Sequence, residues 1–300
     1  MDAIDQVRSK AGFIIDMDGV IYHGNRLIPG VTEFIRWLEA QRKKYLFLTN
    51  SSERSPRELQ QKLERLGIAV GEEHFYTSAL ATAAFLKSQQ HKSSYSPRPS
   101  GERNEVRGID SADHLTPTLS PKGGEGGEIS GSVFAIGDSG LINALYDAGF
   151  TMNDVNPDYV VVGESKMYTY DKITHAIRLV LGGAKLIGTN PDVTGPTDQG
   201  LVPATGALMA PIELATGAKA YYVGKPNPLI MRNALKKIDC RREDAVIIGD
   251  RMDTDIIAGI ESEIETVLVL SGVTAEADLK RFAYRPDLIV KTIAEITGKI

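Results

Sequence analysis

The chain has 300 residues, more than one compact core usually needs, and its 42% hydrophobic and 24% charged residues are the mix of an ordinary soluble globular protein. A net charge of −5 with no block of Lys or Arg speaks against a nucleic-acid partner. No apolar run reaches membrane-span length, the polar start "MDAIDQVRSK" speaks against a signal peptide, and Cys240, the only cysteine, allows neither an intrachain disulfide nor a cysteine metal cluster.

A cytoplasmic protein is the plain expectation. The histidines (His23, His74, His91, His114, His175) lack the spacing of a zinc site. In chain order, "GFIID" is a short apolar run that predicts a strand, and "VTEFIRWLEAQRK" has helical spacing at Phe34, Ile35, Leu38 and Ala40. "YLFLTN" predicts another strand, and "SPRELQQKLERLG" a helix with Pro56 in its first turn and Gly67 as its stop. The later runs "YVVVGE", "AKLIGTNPD", "AYYVGKPNP", "AVIIGDRMDTD" and "ETVLVLSGV" each break from apolar residues into Gly, Asn, Thr or Asp. Continuous apolar strands alternating with helices predict an α/β fold with a parallel sheet covered on both faces. Ligands of such sheets sit beyond the carboxyl ends of the strands, so the polar residues there carry the chemistry. Residues 91–130 break the pattern: 17 of these 40 residues are Ser, Gly or Pro, and only seven are hydrophobic. Such a stretch cannot bury enough apolar area to offset its ordering entropy, and a disordered surface insertion is expected there.

The first strand ends in Asp16 and Asp18, which share one side if the strand stays regular to its end. Two carboxylates so close repel unless a cation separates them or one keeps a proton, and a hard ion such as Mg2+ suits them. Gly19 permits a sharp turn and a close backbone approach to a ligand. An aspartate beside a metal can attack phosphorus, and a second can protonate the leaving oxygen; a turn or a calcium loop is the plain reading of the motif alone. "YLFLTNSS" adds the Thr49 hydroxyl and the N–H groups of Asn50 and Ser51, suited to phosphate oxygens. "YYVGKPNP" presents Lys225 after a strand, and "VIIGDRMDTDI" sets Asp250 past another, with Asp253 and Asp255 close behind.

These four motifs, in this order, resemble the haloacid dehalogenase (HAD) superfamily of phosphohydrolases. "DMDGVIYHGNRLIPG", "TSALATAAFL", "GFTMNDVNPDYVVVGE", "TNPD" and "LVLSGV" are similar to its NagD-like branch, related to p-nitrophenyl phosphatases. The resemblance implies Asp16 as nucleophile, Asp18 as general acid/base, and Thr49 with Asn50 as phosphoryl ligands. It implies Lys225 as the residue stabilising nucleophile and phosphate. Mg2+ would be held by Asp16, the Asp18 backbone carbonyl and Asp250, with Asp255 in support. It further implies a Rossmann-like core (1–85 and 206–300) and an inserted α/β cap (86–205) holding the 91–130 stretch. Asn190 and Asp192, in the "GTNPD" loop, are candidates for substrate contact. The implied activity is Mg2+-dependent hydrolysis of small phosphate monoesters: nucleoside monophosphates, sugar phosphates or p-nitrophenyl phosphate. The alternatives are phosphotransfer or mutase chemistry, or binding of a phosphometabolite without turnover. No nucleic acid or membrane partner is expected; homo-oligomerisation is left open. Asp138 reads as a turn or helix N-cap, Trp37 as core, His23 as a solvated loop residue and Cys240 as unreactive.

Overall fold

A computed structural model describes residues 2–93, 131–197 and 200–297. The insertion expected at 91–130 lies outside these residues, apart from 91–93 at the end of a helix spanning Ser78–Ser93.

Six apolar runs form one parallel sheet, in the spatial order Leu288–Val290, Glu265–Val269, Ala245–Gly249, Gly12–Ile15, Lys44–Thr49, Phe75–Thr77. The Gly12–Ile15 strand is central, with Gly12 opposite Ala245 on one side and Lys44 on the other. Every residue of that strand is buried, as a strand covered on both faces must be. Phe13 and Ile15 point into a cluster with Phe34, Leu38, Phe47 and Leu63; Ile14, one residue out of phase, joins Leu46, Leu48, Met231 and Ala234 on the other face. The helix spanning Pro56–Arg65 starts where the sequence predicts. Ser55 Oγ accepts the Glu58 N–H at 3.3 Å, and Ser55 N donates to Glu58 Oε2 at 2.8 Å.

A second parallel sheet belongs to a cap region and runs Tyr221–Tyr222, Lys185–Gly188, Tyr159–Val162, Ser132–Ile136, Thr151–Met152. An antiparallel hairpin, Thr194–Thr197 with Gly200–Pro203, extends from it. The sequence reading returns the chain to the core at 206. In the structure the Thr205–Thr216 helix instead buries Leu208, Met209 and Ile212 in the cap's apolar cluster, and Tyr221–Tyr222 pairs with the cap sheet. An apolar run declares itself a strand but not which sheet takes it, so the second crossing falls after Tyr222.

Phe13 meets Phe34 and Trp37 edge-on, with ring centroids 6.2 and 5.6 Å away. Truncating a fully buried aromatic removes its transfer energy and leaves a cavity. Phe13→Ala is expected to cost about 3–5 kcal/mol, read from the urea midpoint at constant slope.

Candidate active site

Because the central strands run parallel, their carboxyl ends meet at one edge. Asp16 follows the Gly12–Ile15 strand, Asp250 follows Ala245–Gly249, and Thr49 ends Lys44–Thr49. The Asp16 N–H donates to Ile248 O at 2.8 Å, which continues the sheet ladder to Asp16. Asp255 comes from a short helical turn, Met252–Ile256, behind Asp250. Carboxylate oxygens of Asp16, Asp250 and Asp255 lie within 4.8 Å of one another.

Lys225 enters this floor from the end of the Tyr221–Tyr222 strand and is 2% exposed. Its ammonium donates to Asp16 Oδ1 at 2.5 Å, Asp255 Oδ1 at 2.6 Å and Leu48 O at 3.2 Å, which uses its three protons. Burial alone would depress the ammonium, but the two carboxylates outweigh it and hold it above its ordinary value. One ammonium does not balance three carboxylates. Burial pushes the Asp16 carboxyl well above the usual range despite Lys225, with Asp255 and Asp250 adding to it. Asp250 is pushed up to about 7, by burial first and Asp255 second, against the Val273 N–H donated to its Oδ2 at 2.7 Å. A group of oxygen donors with surplus negative charge fits a hard divalent cation. Gly19 sits at φ 83°, and a Cβ there would collide with the Asp250 carboxylate; only glycine fits.

Asp18 stands apart from the cluster. Its Oδ2 accepts a long, 3.5 Å contact from Tyr22 Oη, and burial raises its carboxyl while Lys62 and Arg54 draw it down. Thr49 is buried, and its Oγ1 accepts the Ser51 N–H at 3.1 Å, so that N–H is used within the loop. The Asn50 side chain is bonded within the protein. Its Oδ1 accepts the Lys225 N–H at 2.8 Å, and its Nδ2 donates to Lys225 O at 2.9 Å and Asp192 Oδ2 at 3.0 Å. It clamps the lysine. Asn190 is not among the residues lining the cleft. It is fully buried, its Nδ2 is 2.7 Å from both Asn50 O and Glu164 Oε1, and it braces the loop from below. Asp192 does line the cleft; its buried Oδ1 has no hydrogen-bond partner among the described residues.

The cleft above this floor encloses about 310 Å3, between the core edge and the cap hairpin. Four of its lining residues, Arg54, Lys62, Glu164 and Arg251, escape the sequence reading. Glu164 accepts the Ser52 N–H at 3.0 Å and the Ser52 hydroxyl, tying the cap to the core loop. It follows the "VVVG" strand as Asp16 follows its own, so its strand-end position was the available signal. Arg251 forms a two-pronged pair with Asp253 at 3.1 and 2.9 Å. Asp138 occupies an N-cap position without a side-chain cap bond, Trp37 packs on the core, and His23 Nε2 contacts Ser271 O.

A parallel sheet with an aspartate pair at its central strand, a lysine–carboxylate floor and a cap defines a class of hydrolases. Residues 13–151 match a family model described as haloacid dehalogenase-like hydrolase, and residues 222–296 match one described as HAD-hydrolase-like. Dihydroxyacetone phosphatase of Corynebacterium glutamicum is 40% identical over 95% of this chain and 90% of its own. Ribonucleotide monophosphatase NagD of Escherichia coli is 38% identical, over 94% and 96%. Its solved structure aligns with TM-score 0.78 at 36% identity, covering 96% and 98%. Glycerol phosphate phosphatase of Mycobacterium tuberculosis, solved in complex with magnesium, aligns with TM-score 0.78 at 26% identity, covering 97% of this chain and 77% of its own. The chain belongs to the haloacid dehalogenase-like hydrolases, in their NagD-like branch, and is a phosphatase acting on phosphoric monoesters. Among the described residues no helix is long and apolar enough to cross a membrane.

The raised Asp250 carboxyl sets a pH dependence. In the metal-free fold it keeps its proton up to about 7, whereas its ordinary value is 3.8, so folding takes up a proton between those values and stability falls as pH rises through them. In chelator, the Tm of wild type relative to Asp250→Asn should decline from pH 4 to pH 8. A flat difference contradicts the raised carboxyl.

Proposed function

We propose that the protein hydrolyses small phosphate monoesters through an aspartyl-phosphate on Asp16, with Mg2+ as its metal. The observation that carries the reading is the floor itself: Asp16 oriented by Lys225 and clustered with Asp250 and Asp255 under a capped cleft. Asp16, Asp250 and the Asp18 backbone carbonyl would hold the ion, with Asp255 behind them. The glycerol phosphate phosphatase relative, solved with magnesium, supports that choice of ion. When bound, Mg2+ supplies charge neutralisation for nucleophile and phosphoryl oxygens.

The Asp16 carboxylate attacks phosphorus as the bond to the leaving oxygen breaks, and Asp18 gives that oxygen its proton. Its burial-raised carboxyl favours the protonated form this step needs. Asp18 then takes a proton from water as that water attacks phosphorus, which frees Asp16 and releases inorganic phosphate. Lys225, held by Asn50, lies against Asp16 throughout and offsets the charge there. The orphaned Asp192 Oδ1 would accept a hydroxyl of the leaving group, which suits sugar-like esters. The named substrates of relatives, dihydroxyacetone phosphate and ribonucleotide monophosphates, support small polyhydroxylated esters.

The test is phosphate release from a panel of monoesters. Wild type should release phosphate with Mg2+ and lose that activity in chelator, and Asp16→Asn should release none above background. Turnover by Asp16→Asn equal to wild type sinks the covalent route. Asp18→Asn should lower kcat by about 10²–10⁴, the range of a lost general acid–base.

A further inference from the structure

Beside the catalytic cleft lies a second concavity, lined by Asn25, Arg54, Lys62, Arg65 and Leu66. Asn25, Arg54 and Lys62 line the cleft as well, so the two spaces adjoin. The cleft floor is rich in carboxylates. Every charged residue lining this annex is a base.

Local structure puts them together. The Ser55–Glu58 capping box starts the Pro56–Arg65 helix just after Arg54, and Lys62 and Arg65 stand three apart on one face of its last turn. Arg54 and Arg65 are exposed, while Lys62 is buried with its ammonium 3.4 Å from the Tyr22 ring centroid. Tyr22 in turn reaches toward Asp18. The annex therefore opens on the Asp18 side of the cleft, where the leaving group departs. Of the nearby carboxylates, Glu58 is bonded by Ser55 and Glu164 by Ser52 and Asn190, while Glu53 and Asp18 feel the charge of Arg54 without a salt bridge to it among the described residues. Arg65 Nε donates to Gln61 O at 3.2 Å, and Arg54 pairs with no carboxylate within salt-bridge distance among the described residues. An arginine fork and neighbouring ammonium suit a carboxylate or phosphate.

We infer that this annex is a leaving-group anion subsite, so the preferred substrate carries a second anionic group besides the ester that is cleaved. The inference rests on the phosphatase reading above. The experiment compares kcat/KM within two matched pairs: 3-phosphoglycerate against glycerol 3-phosphate, and fructose 1,6-bisphosphate against fructose 6-phosphate. At least a tenfold preference for the member carrying the second anionic group is expected in one pair. The first pair identifies a carboxylate, the second a phosphate. Arg65→Gln, at an exposed position outside the cleft lining, should shrink that preference several-fold through KM with kcat little changed, as loss of uniform binding does, and Arg54→Gln should shrink it as well. Ratios near one in both pairs, or a preference untouched in both variants, overturn the subsite and leave the phosphatase standing. No release from any of these esters or from 4-nitrophenyl phosphate overturns the phosphatase reading and this inference with it.

Discussion

The active site depends on a charge imbalance buried at a sheet edge. Asp16, Asp250 and Asp255 converge on one ammonium, and none of the four is more than 9% exposed. Water cannot screen them there, so the surrounding chain must hold each group in place. The Asp16 N–H is fixed by the sheet, Lys225 by the two-bond Asn50 clamp, Asp250 by Val273 and Asp255 by the Arg251 N–H at 3.1 Å. Gly19 keeps the loop after Asp18 close to the Asp250 carboxylate without a clash.

The cap meets this machinery through polar contacts. Glu164 and Asn190 bond the loop that carries Thr49, Asn50 and Ser52, and Gly140 N donates to Glu53 O at 2.9 Å. The face of the cap that lines the cleft is thus also the face that holds the Thr49–Ser52 loop. A change in the cap can alter chemistry as well as selectivity.

The sequence was most legible where one residue states both its element and its position. Asp16, Thr49 and Asp250 each close an apolar strand, and a parallel sheet must bring such ends together. Lys225 was legible for the same reason, although its strand joins the other sheet. What escaped were partnerships across long separations. Nothing local to Asn50 reveals that its side chain clamps a lysine 175 positions away, and Asn190 reads as a loop residue until its amide is seen buried under Asn50. Arg54 and Lys62 look like ordinary bases around a helix, because their shared wall exists only once Tyr22 and the cleft are in place. The Thr205–Thr216 helix packs in the cap because of side-chain partners that its own stretch of sequence does not name.

The position of the Gly12–Ile15 strand also has a consequence for synthesis. One of its edges pairs with Lys44–Thr49, made soon afterwards, and the other waits for Ala245–Gly249. Until that late segment leaves the ribosome, the strand leading to Asp16 presents an open row of peptide groups, a template for pairing with another chain. A strand made early is thus enclosed late. A nascent chain stalled before the final quarter therefore carries an unpaired central strand, the kind of edge that invites aggregation.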